Sequence, residues 1–220
     1  DYEIVEKEIP IKDSSYISSL IDGGSKFIEL DCDIKGSFNI DVDDVVIEGN
    51  GRTVDLARNG CKITGNNITI KNLTFKNGFG EGYNGEGGAI FNIGALELIN
   101  CRFMDNHVKE VQAGAIAYFA SLTCIDCEFH KNTSRGDCYT KGGAICNKGS
   151  LTLKNCILKN NAAEKCGGAI HNEDGLLNIE NCTFENNAVN DGFFVVGNGG
   201  AISNLGKINC FRSTFTGNEI

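Results

Sequence analysis

The chain has almost no proline and no tryptophan: one Pro, no Trp, one Met and three His stand among 220 residues. With so little proline, nearly every backbone N–H is free to donate, as an extensively paired sheet requires. No run of about 18 apolar residues occurs, so no helical membrane span is expected. Positive charge is also in short supply. The 20 Lys+Arg against 29 Asp+Glu leave a net charge of -9 and a pI near 4.9. That excludes the electrostatic footprint of a nucleic-acid binder and any general affinity for anionic lipid. What is abundant is Gly, at 28, and Cys, at 11, within a 41% hydrophobic content that supports a core and excludes disorder and collagen. Eleven cysteines fit an oxidising compartment, a set of metal ligands, or small core hydrophobes. Because the number is odd, at least one thiol is unpaired within the chain. The first residue is Asp1 and no signal segment precedes it, which fits a removed signal or an excised segment.

Repeats dominate what remains. Gly87-Gly88-Ala89-Ile90 recurs as Ala113-Gly114-Ala115-Ile116, Gly142-Gly143-Ala144-Ile145, Gly167-Gly168-Ala169-Ile170 and Gly199-Gly200-Ala201-Ile202, at spacings of 26, 29, 25 and 32 residues. Such spacings lie in the period range of solenoids. A second block follows each copy: Asn100-Cys101-Arg102-Phe103, Asp126-Cys127-Glu128-Phe129, Asn155-Cys156-Ile157-Leu158 and Asn181-Cys182-Thr183-Phe184. A worn copy runs from Arg212 through Phe215 to Asn218, and an early one from Asn72 to Asn77.

Inside a repeat the apolar period is two, as in Leu96 and Leu98 or Leu151 and Leu153, which is strand periodicity. Gly and Asn punctuate the strands and tolerate the positive φ that corners demand. Identical coils are most simply stacked in parallel at about 4.8 Å. The expected fold is therefore all-β, a right-handed parallel β-helix.

In such a solenoid Ile90, Ile116, Ile145, Ile170 and Ile202 form one interior ribbon. Phe75, Phe103, Phe129, Leu158, Phe184 and Phe215 form another. Asn92, Asn147, Asn172 and Asn204, and at the second corner Asn100, Asn155 and Asn181, are placed to build amide ladders between coils. Tyr118 and Asp126 interrupt these ladders.

The N-terminal third is expected to supply shorter coils, with strands around residues 27–34, 44–50 and 67–73. Residues 14–24 read as a short amphipathic helix with a polar start and a glycine stop, capping the open end of the core. The whole chain, 1–220, is then one domain: an arm over 1–13, the helix, short coils over 25–78 and repeat coils over 79–220. The last repeat ends at Asn218-Glu219-Ile220 without a cap, so further repeats or a partner are expected there.

The alternating Gly-Gly-Ala-Ile and Phe-x-x-Asn motifs over about 72–220 resemble the repeats of chlamydial polymorphic outer-membrane proteins, and equally those of adhesin-like surface proteins of methanogenic archaea and bacteria. Departures are Ala113 for the first Gly, Leu158 for Phe and Gly78 where an Asn would stand. The resemblance implies a right-handed β-helix displayed outside the cell for adhesion or surface coating. It transfers no ligand, because the shared residues are scaffold positions.

Cys101, Cys127, Cys156 and Cys182 hold one repeat position, while Cys124 and Cys210 stand where other copies carry Leu98, Leu153 and Ile179. That substitution pattern marks packing residues, expected as a reduced ladder because parallel Cβ vectors suit disulfide torsions poorly. Cys138 and Cys166 lie in variable segments and are the candidate crosslinkers. Cys124-Ile125-Asp126-Cys127 has CxxC spacing without the second pair that a zinc site needs.

An enzyme would need a carboxylate group binding Ca²⁺ beside a basic residue, or paired carboxylates across a cleft. The nearest material is Asp31, Asp33, Asp41, Asp43, Asp44 and Asp55, with Arg52 and Arg58. His107, His130 and His171 sit in unrelated contexts, and no nucleophile motif occurs. No catalytic residue, metal or cofactor is assigned.

Two contact surfaces are expected: Phe193, Phe194, Val195 and Val196 in the longest excursion, which can also fold over the solenoid as a satellite core, and Ile4, Ile9 and Ile11 of the arm. The arm pairs with its own solenoid or is donated to another copy, giving head-to-tail fibres. Sequons at Asn67, Asn72, Asn132 and Asn181 mostly coincide with scaffold positions.

The expected function is an extracellular structural or adhesive module whose partners are other copies or a host or cell-surface polymer. The alternative is a β-helical lyase or hydrolase acting on acidic glycans.

Overall fold

The computed structural model describes residues 9–81, 87–110, 112–136, 140–190 and 198–220. They form a right-handed parallel β-solenoid of about seven turns with one short helix. Three parallel sheets enclose the core. The Gly-Gly-Ala-Ile copies build a seven-stranded sheet from Asn39–Ile40 to Ile202–Asn204. A fifteen-stranded sheet takes two strands from each repeat coil, for example Ala95–Ile99 and Arg102–Met104, which meet at the corner Asn100-Cys101. A five-stranded sheet, hereafter the short face, holds Phe79–Glu81, His107–Lys109, Thr133–Arg135, Ala162–Ala163 and Ala188–Val189.

The N-terminal coils differ from the expectation in one respect. Their strands do not stop at the corner: Val46–Asp55 and Ile68–Lys76 run straight through it, with a register shift between Glu48 and Arg52. Gly49 permits the close pass, since a Cβ there would meet the Asn72 carbonyl and the Leu73 side chain at under 3 Å. The helix spans Ser15–Asp22 and buries Ile17 and Ile21 on the first coil. Its first turn is served by Asp13 rather than Ser14, with Ser15 N donating to Asp13 Oδ1 at 3.0 Å.

The repeated apolar residues are one register row each. Ile90 pairs with Ile116, then Ile145, Ile170 and Ile202. The aromatic row stacks nearly face to face, at 5.1 Å between Phe75 and Phe103, 5.0 Å between Phe103 and Phe129, and 4.7 Å between Phe184 and Phe215. Phe215, at the end of this row, is 46% exposed.

Polar rows close the corners. Asn147 donates to Asn172 Oδ1 and Asn172 to Asn204 Oδ1, both at 2.6 Å. Tyr118 replaces one member, so Asn92 donates only to backbone carbonyls, Gly94 at 2.9 Å and Ser121 at 3.4 Å. At the exposed second corner Asn72, Asn100, Asp126, Asn155 and Asn181 all adopt φ of 51–56°, the left-handed region that Asn and Asp tolerate best. Asn100 donates to Asn72 at 2.7 Å and Asn181 to Asn155 at 2.9 Å. Asp126 breaks only one link here, because its carboxylate still accepts from Asn155 at 2.9 Å.

A third Asn row is the most buried and was not anticipated, although its residues end the Phe-x-x-Asn motif. Asn106, Asn132, Asn161 and Asn187 are fully buried; each donates to the next, at 2.9–3.0 Å, and the last to Asn218. Each amide also donates to a carbonyl of the preceding coil, such as Phe103 for Asn132. At Gly78 the missing Asn has a steric cause, since a Cβ there would run into the Gly88 carbonyl.

The cysteine row has a polar task as well as an apolar one. Cys101, Cys127, Cys156 and Cys182 are buried, and each thiol reaches the carbonyl two residues back, Ile99, Ile125, Lys154 and Glu180, at 3.2–3.5 Å. A weak S–H donor thus serves a bend that the sheet cannot reach. In the last coil Ser213 does the same with its hydroxyl, 3.0 Å from the Phe211 carbonyl. All cysteines among the described residues are free thiols.

Candidate functional site

The short face carries an axial groove. Its strands are three residues long or shorter, so each offers its first residue outward and buries the second. The outward row is Phe79, His107, Thr133 and Ala162, in direct register. Side chains shrink from ring to methyl along the axis; Phe79, His107 and Thr133 line the main cleft, and Ala162 lines a smaller one beside it. The His107 imidazole meets the Phe79 ring edge-on at 5.3 Å, and the Arg58 guanidinium lies 4.9 Å from the Phe79 centroid.

The walls come from the residues on either side. Asn77, Asp105 and Lys131 stand at the corner with φ of 52–57°, and Lys109, Arg135 and Glu164 line the opposite edge of a cleft of about 800 Å³. Lys109 is engaged by Glu81 at 3.6 Å and Glu110 at 3.9 Å, and Glu164 accepts from the Gly136 N–H at 2.8 Å. Among the described residues, Arg58, Lys131 and Arg135 have no carboxylate within ion-pair distance. Partial burial pushes the His107 pKa below its ordinary value, and the Arg135 and Arg58 charges add to this. Asp105 and Glu164 line the same cleft, so its cations stand among carboxylates and the site is mixed in charge on a chain whose net charge is -9.

The chain matches, over residues 21–220, the family described as right handed beta helix region. It belongs to that family. No curated protein and no solved structure matches it.

In this β-helix the sequence-selected acidic residues do not converge. Asp31 faces Lys12 at 3.3 Å, Asp33 accepts from Thr53 N, Asp43 from Asn66 N, Asp44 from the Asn67 amide, and Asp55 from Ala57 N. They serve turns and coil-to-coil links. Among the described residues no group of three or more His, Cys, Asp or Glu is arranged around a common point for a metal. Arg58, grouped with those carboxylates on sequence proximity, instead covers Phe79 in the groove.

The outer side of the Gly-Gly-Ala-Ile face is covered. Ala117, Cys146 and His171 point away from the core yet are buried, and Ala113, Ala117 and Cys146 form a small second apolar cluster with Phe91. Burial pushes the Cys146 thiol up to about 12, with Glu173 adding to the rise. Burial, reinforced by Lys141, takes His171 down to about 4, and neither ring nitrogen has a hydrogen-bond partner. Glu173 would rise by burial, but Lys141 and Lys148, each 3.3 Å from one of its oxygens, hold it below its ordinary value. The sequence signal was the pair Ala117 and Cys146 at outward positions, where an exposed strand would carry polar residues.

His130 lies outward on the neighbouring sheet, 3.5 Å from the Asn160 amide. Cys166 is half-buried where the segments of Lys141 and Asn198 bridge. Ile9 and Ile11 are exposed, and Ile11–Asp13 pairs in parallel with Asp33–Lys35 of its own chain. Cys138, Ile4, Phe193, Phe194, Val195 and Val196 lie outside the described residues. Among the sequons Asn132 is fully buried, which removes it as a glycan acceptor.

Proposed function

We propose that this β-helix is an extracellular surface module, structural and adhesive, that holds an extended polymer along its axis. The observation that carries this is the axial groove, with Phe79, His107, Thr133 and Ala162 as its floor. Coil stacking places side chains about 4.8 Å apart along the axis, so one extended chain touches several coils at once and gains avidity from the combined contacts. Rigidity helps, because groups held by paired strands lose little freedom on binding. The resemblance of the repeats to surface adhesins supports the extracellular setting. Burial of most thiols is compatible with oxidising surroundings, since oxidants need access to the sulfur.

Binding of the purified chain to whole cells and to an array of extracellular glycans tests the proposal. Saturable binding, weakened by substitutions in the groove and unaffected on the opposite face, is the expected result. Absence of binding overturns it. Release of reducing ends or unsaturated products from an acidic glycan, with or without Ca²⁺, would replace it by a polysaccharide-cleaving enzyme.

A further inference from the structure

We infer that the layer of chain lying over the Gly-Gly-Ala-Ile sheet is an acid-released cover: when His171 takes up a proton, the segments around Lys141-Gly142 and Cys166-Gly167 lift off the strands beneath while the coils stay stacked. The inference concerns the face carrying Ala117, Cys146 and His171 and is independent of the groove.

The cover is a thin outer ladder. Lys141 bridges Cys166, and Cys166 bridges Asn198, each in parallel. Lys141 N donates to the Gln112 carbonyl at 3.1 Å, Gly142 N to the Cys166 carbonyl at 2.8 Å and Gly167 N to the Asn198 carbonyl at 2.9 Å. Both glycines are seated on the strand below, since a Cβ at Gly142 or Gly167 would come within 3.2 and 2.9 Å of His171 N. Single bridges outside the main sheets open at lower cost than coils tied by three sheets and the buried Asn rows.

His171 is the group beneath it that tolerates charge worst. It is 1% exposed, and neither ring nitrogen has a hydrogen-bond partner. Among the described residues, the strand before it presents Cys146, the strand after it Ser203, the cover Lys141 and Cys166, and the corner Lys148 and Glu173. Glu173 is the one carboxylate of this set and is already shared by both lysines, each at 3.3 Å. An imidazolium here would be a third cation around one carboxylate, buried and without an acceptor. Lifting the cover gives it water. Burial takes the closed-state pKa from 6.5 down to about 4, so closure is favoured in full above pH 6.5 and loses that advantage as pH falls to 4. Opening uncovers Ala117 and Cys146, part of the small second apolar cluster.

Labelling of the full chain between pH 7 and 4 with a pyridyl disulfide, which stays reactive toward thiols in acid, tests this once the labelled sites are identified. Cys146 is the reporter, exposed Cys210 the reference for reagent reactivity, and core Cys156 the monitor of global unfolding. At neutral pH Cys146 stays covered. The expected result on acidification is a rise of roughly a hundredfold in Cys146 labelling relative to Cys210, with Cys156 unlabelled. His171→Gln should keep Cys146 covered at pH 4, and Glu173→Gln, which removes the one carboxylate, should move the opening to higher pH. Cys146 protected throughout, Cys156 labelled in step with Cys146, acid opening retained in His171→Gln, or an unmoved midpoint in Glu173→Gln overturns the inference.

Discussion

The Asn132 side-chain amide donates to Asn161 Oδ1 at 3.0 Å, in a position without solvent exposure. The same Asn161 oxygen accepts from the Asn132 backbone N–H at 3.0 Å, so one residue satisfies two donors of the coil before it. Corners of a solenoid break the sheet ladder, and buried polar groups left there are costly.

Asn132→Ala removes the acceptor for Asn106 and the donor for the Phe103 carbonyl. Stability should fall by roughly 3 kcal/mol or more, read from the midpoint of chemical denaturation. Asn132→Asp should be at least as damaging, since a carboxylate would face carbonyl oxygens.

Gly143→Ala places a Cβ against the Gly168 carbonyl and within 2.6 Å of Ala162 N. The expected loss is about 3 kcal/mol or more, because backbone on both sides has to move. Gly51→Ala is the comparison. Nothing lies within 4 Å of its Cβ, and only its φ of 74° opposes the change, costing about 1–2 kcal/mol.

Tyr118→Phe should raise stability by about 1 kcal/mol, measured the same way. Tyr118 is buried within the Asn row, and its hydroxyl has no hydrogen-bond partner.

Thiol labelling should separate two classes. Cys210 is exposed and Cys166 half-buried, so both should react in the native protein, whereas Cys61, Cys146 and Cys156 should react only on unfolding. Burial pushes Cys61 and Cys146 from 9.0 up to about 12. A raised folded-state value keeps the proton on in the fold. The resulting stability is complete below pH 9 and is lost as pH rises from 9 to 12. Denaturation midpoints across that window should decline, and Cys146→Ala should flatten the decline.

His171 gives the opposite slope. Its pKa falls from 6.5 to about 4, chiefly through burial and then through Lys141, so the fold favours neutral imidazole. That stability is present above pH 6.5 and is lost as pH falls from 6.5 to 4, by roughly 2–3 kcal/mol. Denaturation between pH 7 and 4 checks it, and His171→Phe should remove most of the slope.

The repeat sequence by itself determined the scaffold. A period of two, broken at fixed intervals by residues that accept positive φ, permits little besides stacked parallel coils, and identical rows follow from identical positions. Ile90, Phe103, Asn147 and Cys156 were therefore legible as interior or corner residues before any coordinates. Only the tertiary structure decided the groove. Arg58, Phe79, His107, Lys131 and Arg135 are spread over some eighty residues; the buried Asn that ends each Phe-x-x-Asn motif fixes the register of the residue after it, His107 after Asn106 and Thr133 after Asn132, but leaves free which side chain stands there. The same is true of the covered row of Ala117, Cys146 and His171. Outward residues of a strand are normally read as solvated, and only the packing of neighbouring segments over that face makes them a second interior.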